Sequence, residues 1–368
     1  MLSVFCSPAR YVQGPDATRE LGSELTRMGL AGKVFILSGK SARAHLEKIW
    51  KETFQSAGIE FDVCDFAGEC SKEEIARVKQ VAAHWGAEVI VGAGGGKVLD
   101  TARAVASELE LPVVNCPTVA SSDAPCSALS VVYKENGEFD SYFFYKKNPD
   151  LVLVDSSMVA KAPCRLLVAG MGDALATWFE ARTVREAKVK NQVGGFPTQS
   201  ATRLARLCYE TLLEDGPEAC RAVEENKVNE HLERLIEANT LLSGLGFESG
   251  GLAVAHSVHN GLTAINETHD FYHGEKVAFG TLVQLVLEER PKAELDEVLD
   301  FSIAVGLPVT LRQLGIDNLS DRELDLIARR TVAPGETAHN EPFEVKPDMV
   351  AKAILEADRT GRSRLSRS

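Results

Sequence analysis

Long hydrophobic runs, paired cysteines and an excess of basic residues are all missing from this sequence. The longest apolar stretches, such as Val89 to Gly96 and Leu151 to Val154, fall well short of the ~20 residues that a membrane-spanning helix needs. Met1 to Arg10 contains proline and arginine and lacks a hydrophobic run ending in a cleavage site, so export is not expected. These absences predict a cytoplasmic protein with no membrane span.

The eight cysteines are scattered, and no CxxC pair suggests a zinc ribbon or a redox dithiol. We therefore expect reduced thiols. The formal net charge is −13 at pH 7, whereas a nucleic-acid surface needs a face rich in lysine and arginine. A small uncharged substrate fits this charge better than a nucleic acid does.

The first half of the chain alternates short β-branched runs with helical patterns, which predicts βαβ units around a parallel sheet. The predicted strands are Lys33 to Ser38, Ala87 to Gly92, Leu111 to Cys116 and Leu151 to Asp155. Two further runs, Ala128 to Tyr133 and Phe139 to Tyr145, flank Asn136-Gly137, a dipeptide that suits a tight hairpin turn. The fold class is thus an α/β, Rossmann-like sheet carrying a β-hairpin.

The second half shows helical periodicity and loses its strand signals after about Pro163. The predicted helices are Arg165 to Glu186, Thr198 to Leu213, Asn229 to Ser243, Leu252 to Ile265 and Glu275 to Arg290. At 368 residues the chain is long enough for two domains. We predict an α/β domain over residues 1–162 and an all-helical domain over residues 163–368, with a ligand cleft between them.

A glycine-rich turn follows the predicted strand around Val89 to Val91 and precedes a helical pattern. Glycines at such a turn let backbone N–H groups approach a phosphate, and the helix N-terminus adds favourable partial charge. Lys97 occupies the last glycine position of G-x-G-x-x-G, so the standard Rossmann fingerprint is not met. On these residues alone, a phosphate site and a plain structural turn both stay open.

Three residues in the helical half have the chemistry of metal ligands. Asp173 lies in an apolar helical stretch, where a buried charge needs a partner, and His256 and His273 lie in segments of small residues. One carboxylate and two imidazoles leave a coordination position for a substrate oxygen. Each residue alone is also explained as a helix cap or a core histidine, but their joint occurrence favours a shared metal. His269, among polar loop residues, is expected at the surface.

Several motifs in order along the chain resemble those of the glycerol dehydrogenases, a family within the iron-containing (type III) alcohol dehydrogenase superfamily. The residues that carry the resemblance are Gly94-Gly95-Gly96-Lys97, Asp100-Thr101-Ala102, the run from Ser121 to Ser130, Gly172 to Trp178, Gly246 to Gly251, His256, His259-Asn260-Gly261 and His273 to Gly280. The resemblance covers nearly the whole chain. It implies a dinucleotide-binding domain, a helical metal domain and a homo-oligomer, commonly an octamer.

The resemblance also implies roles for single residues. Asp173, His256 and His273 would ligate the metal, and Asp123 would contact glycerol. The cofactor phosphates would meet Gly94, Gly95, Gly96, Lys97 and Val98, while Thr118, Ser121, Ser127, Leu129 and Tyr133 would line the nicotinamide and ribose. His259, near the metal on the same helix face as His256, would relay a proton or orient a ligand; both roles stay open.

Two positions depart from the family pattern. Thr177 stands where iron-using relatives often carry a fourth ligand, a histidine four residues after the aspartate, which favours zinc over iron. Gly39 stands where many relatives carry an aspartate for the adenosine ribose, and Lys40 follows it. The usual argument for NAD over NADP is therefore weaker here, and NAD is expected through the family.

The expected function is hydride transfer from the secondary hydroxyl of glycerol, or from a related 1,2-diol, to NAD with Zn²⁺ as Lewis acid. Alternatives within the fold are enzymes of another diol or hydroxyketone, glycerol-1-phosphate dehydrogenase and 3-dehydroquinate synthase. Between Gly244 and Gly280 the one basic residue besides histidines is Lys276, so a neutral substrate is preferred. A non-catalytic NAD-binding regulator is the alternative of another class. The physiological direction and the substrate among small diols are not fixed by the sequence.

Overall fold

The computed structural model describes residues 2–135 and 139–366, and its first half is built on one parallel sheet. The elements of this half are β1 (Arg10–Gly14), α1 (Leu21–Arg27), β2 (Val34–Ser38), α2 (Lys40–Ala57), β3 (Phe61–Asp65), α3 (Lys72–Trp85), β4 (Val89–Gly94), α4 (Gly96–Leu109), β5 (Val113–Pro117), β6 (Leu129–Tyr133), β7 (Phe139–Phe144) and β8 (Leu151–Asp155). Six strands form the sheet in the order β1-β8-β5-β4-β2-β3, and all adjacent pairs are parallel. The predicted parallel sheet is confirmed.

The inner strands are apolar because helices cover both faces of the sheet. Every residue of β2, β4, β5 and β8 is buried. On one face, Trp50 and Phe54 of α2 pack into the core that contains Ile36. On the other face, Val98 and Ala102 of α4 join the core that contains Ile90.

The strand order reverses between β2 and β4, because β2 is followed by β3 on one side and β4 by β5 on the other. Open parallel sheets bind ligands at the carboxyl ends of the strands at such a reversal. The glycine turn after β4 lies at this edge. The fold therefore places the predicted phosphate turn where a ligand is expected.

The two outer strands were missing from the sequence prediction. Each is five residues long and only partly buried, with polar residues among the apolar ones: RYVQG in β1 and FDVCD in β3. Such short, mixed segments give little periodic signal. Their place is decided by pairing, with β1 beside β8 and β3 beside β2.

The predicted hairpin is present as an antiparallel pair of β6 and β7, with Leu129 opposite Phe144. The register shifts between Val132 and Tyr133, so one strand carries a bulge. The predicted turn residues Asn136 and Gly137 lie outside the described residues. An isolated bridge between Ser71 and Tyr133 joins the hairpin to the segment that precedes α3.

The second half is helical, as predicted. Its α-helices are α5 (Ser156–Val159), α6 (Cys164–Ala187), α7 (Gln199–Glu224), α8 (Glu230–Glu237), α9 (Ser243–Gly250), α10 (Val254–Leu262), α11 (His273–Leu287), α12 (Lys292–Val305), α13 (Asp321–Thr331) and α14 (Pro347–Leu365). α6 begins just after the predicted domain boundary. The division into domains 1–162 and 163–368 stays a prediction.

Two helix predictions were wrong at their C-terminal ends. The helix predicted to end at Leu213 continues as α7 through Pro217 to Glu224. Packing decides this, since a β-carbon on Gly216 would lie 2.9 Å from the ring of Phe301. The helix predicted over Asn229 to Ser243 consists of α8 and a π-helical turn over Ala238–Leu242. The chain then stays helical beyond the predicted end, as α9.

In the part of the chain that the structure describes, no helix is both long enough and apolar enough to cross a bilayer. The eight cysteines are free thiols, four of them buried and four partly buried.

Candidate active site

The glycine turn joins β4 to α4 with its backbone open on one side. A β-carbon on Gly94 would lie 2.8 Å from a methyl of Val98, so the strand end and the helix approach closely there. A β-carbon on Gly95 would make only an ordinary contact at 3.8 Å, and one on Gly96 would meet none of the described residues within 4 Å. Open backbone at a helix N-terminus is suited to a phosphate.

Lys97 points from this turn toward the hairpin. Its Nζ lies 2.6 Å from a carboxylate oxygen of Glu69 and 5.2 Å from the ring centre of Tyr133. The backbone N–H of Tyr133 donates to Cys70 O at 2.8 Å. The hairpin therefore lies beside the glycine turn, where it could form one side of a binding site.

The loop after β5 and the start of β6 carry the other residues expected near a cofactor. Thr118 begins the loop, and its N–H donates to Gly94 O at 3.1 Å, so loop and glycine turn are tied together. Thr118, Ser121 and Leu129 are partly buried. Ser127 is fully buried, and its hydroxyl donates to Ala124 O at 3.0 Å. The side chain of Ser127 is thus committed to holding the loop.

Asp173, His256 and His273 come together, although 100 residues separate the first from the last. They lie on α6, on α10 and at the first position of α11. The Nε2 atoms of His273 and His256 lie 3.1 Å and 3.5 Å from Oδ1 of Asp173. One ligand atom from each residue lies within 4.8 Å of the others.

Close helix packing makes this convergence possible. A β-carbon on Gly274 would lie 1.8 Å from Ala169 O, so only glycine lets the start of α11 rest on α6 at this depth. Gly172 faces the same contact, because its β-carbon would lie 2.3 Å from Gly274 O. The small residues around the predicted ligands therefore bring the helix backbones together, as the sequence indicated.

The electrostatics of the trio fit a cation. Oδ1 of Asp173 is buried and has no hydrogen-bond partner among the described residues, although it faces both imidazoles. Burial opposes the charge of Asp173, but the neighbouring His273 and His256 hold the pKa of its carboxyl well below the usual range. A buried carboxylate oxygen with an open lone pair between two ring nitrogens is a donor set for Zn²⁺ or Fe²⁺.

Asp123 joins the trio from the sheet half. Its backbone N–H donates to Oδ2 of Asp173 at 3.1 Å, and its carboxylate accepts from Ser243 Oγ at 2.8 Å. The Ser243 hydroxyl also lies 2.7 Å from Thr177 Oγ1. Burial and the adjacent charge of Asp173 raise the pKa of Asp123 well above its ordinary value. The carboxyl end of β5 therefore faces the predicted metal ligands.

His259 contacts a predicted ligand. Its Nε2 lies 3.0 Å from Nδ1 of His273. Burial, with His273 and Lys276 nearby, lowers the pKa of His259 well below its ordinary value. The exposed loop residue His269 lies at the surface, as expected.

Sequence reasoning missed Glu180, which is fully buried on α6. Its Oε2 lies 2.6 Å from Nδ1 of His256, and its Oε1 accepts from the backbone N–H groups of Ala253 and His256. A signal was available, because Glu180 follows Asp173 by two helical turns and so lies on the same face. Burial opposes protonation of His256, yet Glu180 and Asp173 raise its pKa well above the ordinary value.

Lys276 is unavailable to a substrate, because it is buried and its Nζ donates to Phe271 O at 2.7 Å and to Thr268 O at 3.1 Å. Burial lowers the pKa of Lys276 to about 8. The one lysine between Gly244 and Gly280 therefore anchors the loop ahead of α11. This agrees with the expectation that the substrate carries no negative charge.

Comparisons with known proteins agree with this geometry. Residues 8–156 match the family described as iron-containing alcohol dehydrogenase. A glycerol dehydrogenase of Pseudomonas putida is 51% identical over 97% of this chain and 97% of its own length. A glycolaldehyde reductase of Halobacterium salinarum is 49% identical over 98% of this chain and 99% of its own. The crystal structure of glycerol dehydrogenase from Schizosaccharomyces pombe superimposes with a TM-score of 0.93 at 36% identity, covering 100% of this chain and 93% of that one.

Proposed function

The chain belongs to the glycerol dehydrogenase group of the iron-containing alcohol dehydrogenase family, and on that premise we propose that it oxidises glycerol at its secondary hydroxyl to dihydroxyacetone, with NAD as hydride acceptor and Zn²⁺ as the metal. The observation that carries this proposal is the convergence of Asp173, His256 and His273 around a buried carboxylate oxygen. The similarity to glycerol dehydrogenases over nearly the whole chain supports it.

Asp173, His256 and His273 would hold the cation. When bound, the cation supplies Lewis acidity toward a substrate hydroxyl, and the nicotinamide accepts the hydride. Asp123 accepts a hydrogen bond from a second hydroxyl of the substrate, and Ser243 holds its carboxylate in place. A vicinal diol offers one oxygen to each of these partners, so we expect a preference for 1,2-diols over simple alcohols.

The cofactor is proposed to lie at the carboxyl edge of the sheet. Gly94, Gly95, Gly96, Lys97 and Val98 would meet its phosphates through the open backbone of the turn. Thr118, Ser121, Leu129 and Tyr133 would line the ribose and nicotinamide, with Ser127 supporting the loop from beneath. The loop that carries Asp123 contacts Asp173 directly. A nicotinamide bound along this loop would therefore face the metal trio.

Zinc is preferred to iron because Thr177 stands where a fourth ligand, a histidine, is expected in iron-using relatives, and its hydroxyl contacts another side chain. Its hydroxyl lies 2.7 Å from Ser243, which in turn holds Asp123. Three protein ligands leave a coordination position for substrate, the arrangement of catalytic zinc sites.

A second candidate activity is the reduction of a small α-hydroxyaldehyde such as glycolaldehyde. The observation that favours it is the 49% identical relative named glycolaldehyde reductase. The two reactions share their chemistry, since each interconverts a vicinal diol with an α-hydroxycarbonyl compound. They differ in whether a secondary or a primary carbon reacts.

We further propose a cytoplasmic homo-oligomer of two-domain chains, divided at residues 162 and 163. The eight free thiols agree with a reducing compartment. A mass measurement in solution tests the oligomer, and limited proteolysis near Pro163 tests the boundary.

Turnover assays test the function. Purified protein is assayed with glycerol, 1,2-propanediol and ethanol, with NAD and with NADP, before and after treatment with a chelator; glycolaldehyde reduction is measured with NADH. We expect NAD-linked oxidation of the two diols to be faster than that of ethanol. The chelator should abolish turnover, and added Zn²⁺ should restore it. A higher kcat/KM with glycolaldehyde than with glycerol selects the second candidate.

The matched variants are His256→Ala and His84→Ala, because His84 is an exposed histidine on α3. We expect the first to lose turnover while binding NAD, and the second to behave as the wild type. Full activity in a metal-stripped preparation contradicts the proposal.

A further inference from the structure

A line of hydrogen bonds leads outward from His273. Its Nδ1 lies 3.0 Å from Nε2 of His259, and Nδ1 of His259 lies 3.0 Å from Oδ1 of Asn260. The amide nitrogen of Asn260 then donates to Oε2 of Glu336 at 2.9 Å. The line thus runs from the predicted metal ligand to a carboxylate just ahead of the turn over residues 337–340.

The carboxylate at the outer end sets the direction of every bond in the line. An amide nitrogen only donates and a carboxylate oxygen accepts, so Asn260 turns its NH₂ group toward Glu336 and its carbonyl oxygen toward His259. That oxygen also only accepts, so the proton of His259 sits on Nδ1 and its Nε2 accepts from His273. The proton of His273 is then on Nδ1, and the lone pair of its Nε2 faces Asp173.

We propose that Glu336 and Asn260 are positioning residues that fix the tautomers of His259 and His273 and thereby prepare Nε2 of His273 to bind the metal. This inference rests on the proposed metal site. It assigns His259 to orienting a ligand, because both of its ring nitrogens are engaged in the line. Which ring nitrogen of a histidine binds a metal is set by the hydrogen bond of the other.

The tautomer of His256 is also set by a carboxylate, but without intervening residues. Nδ1 of His256 lies 2.6 Å from the Glu180 carboxylate, so one carboxylate sets its tautomer directly. His273 lies at the start of α11 and its side chain is 42% exposed, with no carboxylate of the described residues paired to its Nδ1. His259 and Asn260 span that gap to Glu336.

The segment that holds Glu336 is itself fixed to α10. Thr337 Oγ1 donates to Ala253 O at 2.7 Å, and the N–H of Ala338 donates to Ser257 Oγ at 2.8 Å. Glu336 therefore occupies a defined position relative to the helix that carries His256, His259 and Asn260. A mobile carboxylate would accept from Asn260 for only part of the time and would not fix the orientation of its amide.

Zinc affinity tests the proposal. Full-length protein is stripped of metal and titrated with Zn²⁺ in competition with a chromophoric chelator, as wild type, Asn260→Leu, Glu336→Leu and Glu336→Gln. Loss of outer partners of metal-binding histidines weakens metal binding about 10- to 100-fold. We expect each leucine variant to bind Zn²⁺ at least about tenfold more weakly than wild type. Glu336→Gln keeps an oxygen that accepts from Asn260, so its zinc affinity should stay close to that of the wild type.

Two further readouts separate positioning from folding. The visible spectrum of the Co²⁺-substituted protein should change in both leucine variants and be retained in Glu336→Gln, because it reports the ligand field at the metal. NAD affinity of the metal-free protein should be equal in all four proteins. Asn260→Leu with wild-type zinc affinity and cobalt spectrum overturns the inference alone. A wild-type protein that binds no divalent cation overturns the proposed function as well.

Discussion

Single hydroxyl groups support the reacting end of the site. The Ser243 hydroxyl donates to Asp123 and lies within hydrogen-bond distance of the Thr177 hydroxyl. Thr177, at the position of a possible fourth metal ligand, thus helps to fix the carboxylate that is expected to contact substrate. A typical side-chain hydrogen bond contributes about 0.5–1.5 kcal/mol. Loss of Ser243 therefore acts on substrate binding without removing a metal ligand.

Ser243→Ala is expected to raise KM for glycerol about tenfold, since about 1.4 kcal/mol corresponds to a factor of ten. The carboxylate of Asp123 loses its donor and its fixed orientation, while kcat changes less. Steady-state kinetics with glycerol measures this. The control is Ser23→Ala, on the exposed side of α1, which should keep wild-type kinetics. An unchanged KM in Ser243→Ala would show that Asp123 needs no such support.

At this scale, the sequence singled out the three residues that converge in the structure, but not the residues around them. Asp173, His256 and His273 stood out because charge or imidazole in small, apolar surroundings needs a partner. Glu180 shares that property, since it is a buried charge on the same helix as Asp173, and Glu336 has no local pattern that marks it. The partnership of Ser243 with Asp123 joins residues 120 positions apart, and only the packed structure brings them together.

We predict that the start of α2 influences the choice between NAD and NADP. Gly39 caps this helix with extended backbone at φ −68° and ψ 148° and offers no side-chain hydrogen bond. A β-carbon there would make an ordinary 3.6 Å contact with Val98. A β-carbon is therefore accommodated at this position, where the sequence resemblance leads us to expect an aspartate facing the adenosine ribose.

Gly39→Asp is expected to lower kcat/KM for NADP at least about tenfold relative to NAD, because a carboxylate repels the 2′-phosphate and accepts from the ribose hydroxyls. Kinetics with both cofactors measures the ratio. Gly39→Asn has the same size without the charge and should shift the ratio little. Equal shifts in the two variants would mean that shape, and not charge, controls the choice.

Elements with strong periodicity were predictable, and those fixed by tertiary contacts were not. The apolar runs of β2, β4, β5 and β8 marked the centre of the sheet to within two residues at either end. The strand β1 depends on its pairing with β8, and α7 continues through Pro217 because its residues pack against α12 and α8. Local propensity is a weak guide where such packing decides.

Across the whole molecule, buried polar groups join the sheet half to the helical half. Glu248 of α9 accepts from the N–H of Ala128 at 2.7 Å and from Asn148, and Asn239 donates to Ala120 O at 3.0 Å. Burial raises the pKa of Glu248, although these donors oppose the shift. These contacts hold the loop after β5 against α9 and the π-helical turn that precedes it.

Buried carboxylates also make the stability of the fold depend on pH. Burial, with Glu288 and Glu180 nearby, raises the pKa of Glu341 to about 9. The unfolded chain loses this proton near pH 4.5 and the folded chain only near pH 9, so stability falls as pH rises between these values. The change is on the order of 1 kcal/mol per pH unit.

Glu341→Gln should therefore lose less stability than wild type between pH 7 and about 9, since an amide does not titrate. Urea unfolding at several pH values measures the slope. The matched control is Glu344→Gln, an exposed neighbour that pairs only with Lys346 in the described structure and should keep the wild-type slope. Parallel curves for wild type and Glu341→Gln would contradict the assignment.

The central claim is that Asp173, His256 and His273 hold one divalent cation at the edge of the sheet where the cofactor binds. Anomalous X-ray scattering at the zinc edge, from crystals of fully active protein, tests it most directly. The account predicts one strong peak per chain, at about 2.0–2.2 Å from a carboxylate oxygen of Asp173 and from Nε2 of each histidine. Fully active protein whose metal lies elsewhere, or that contains none, would contradict it.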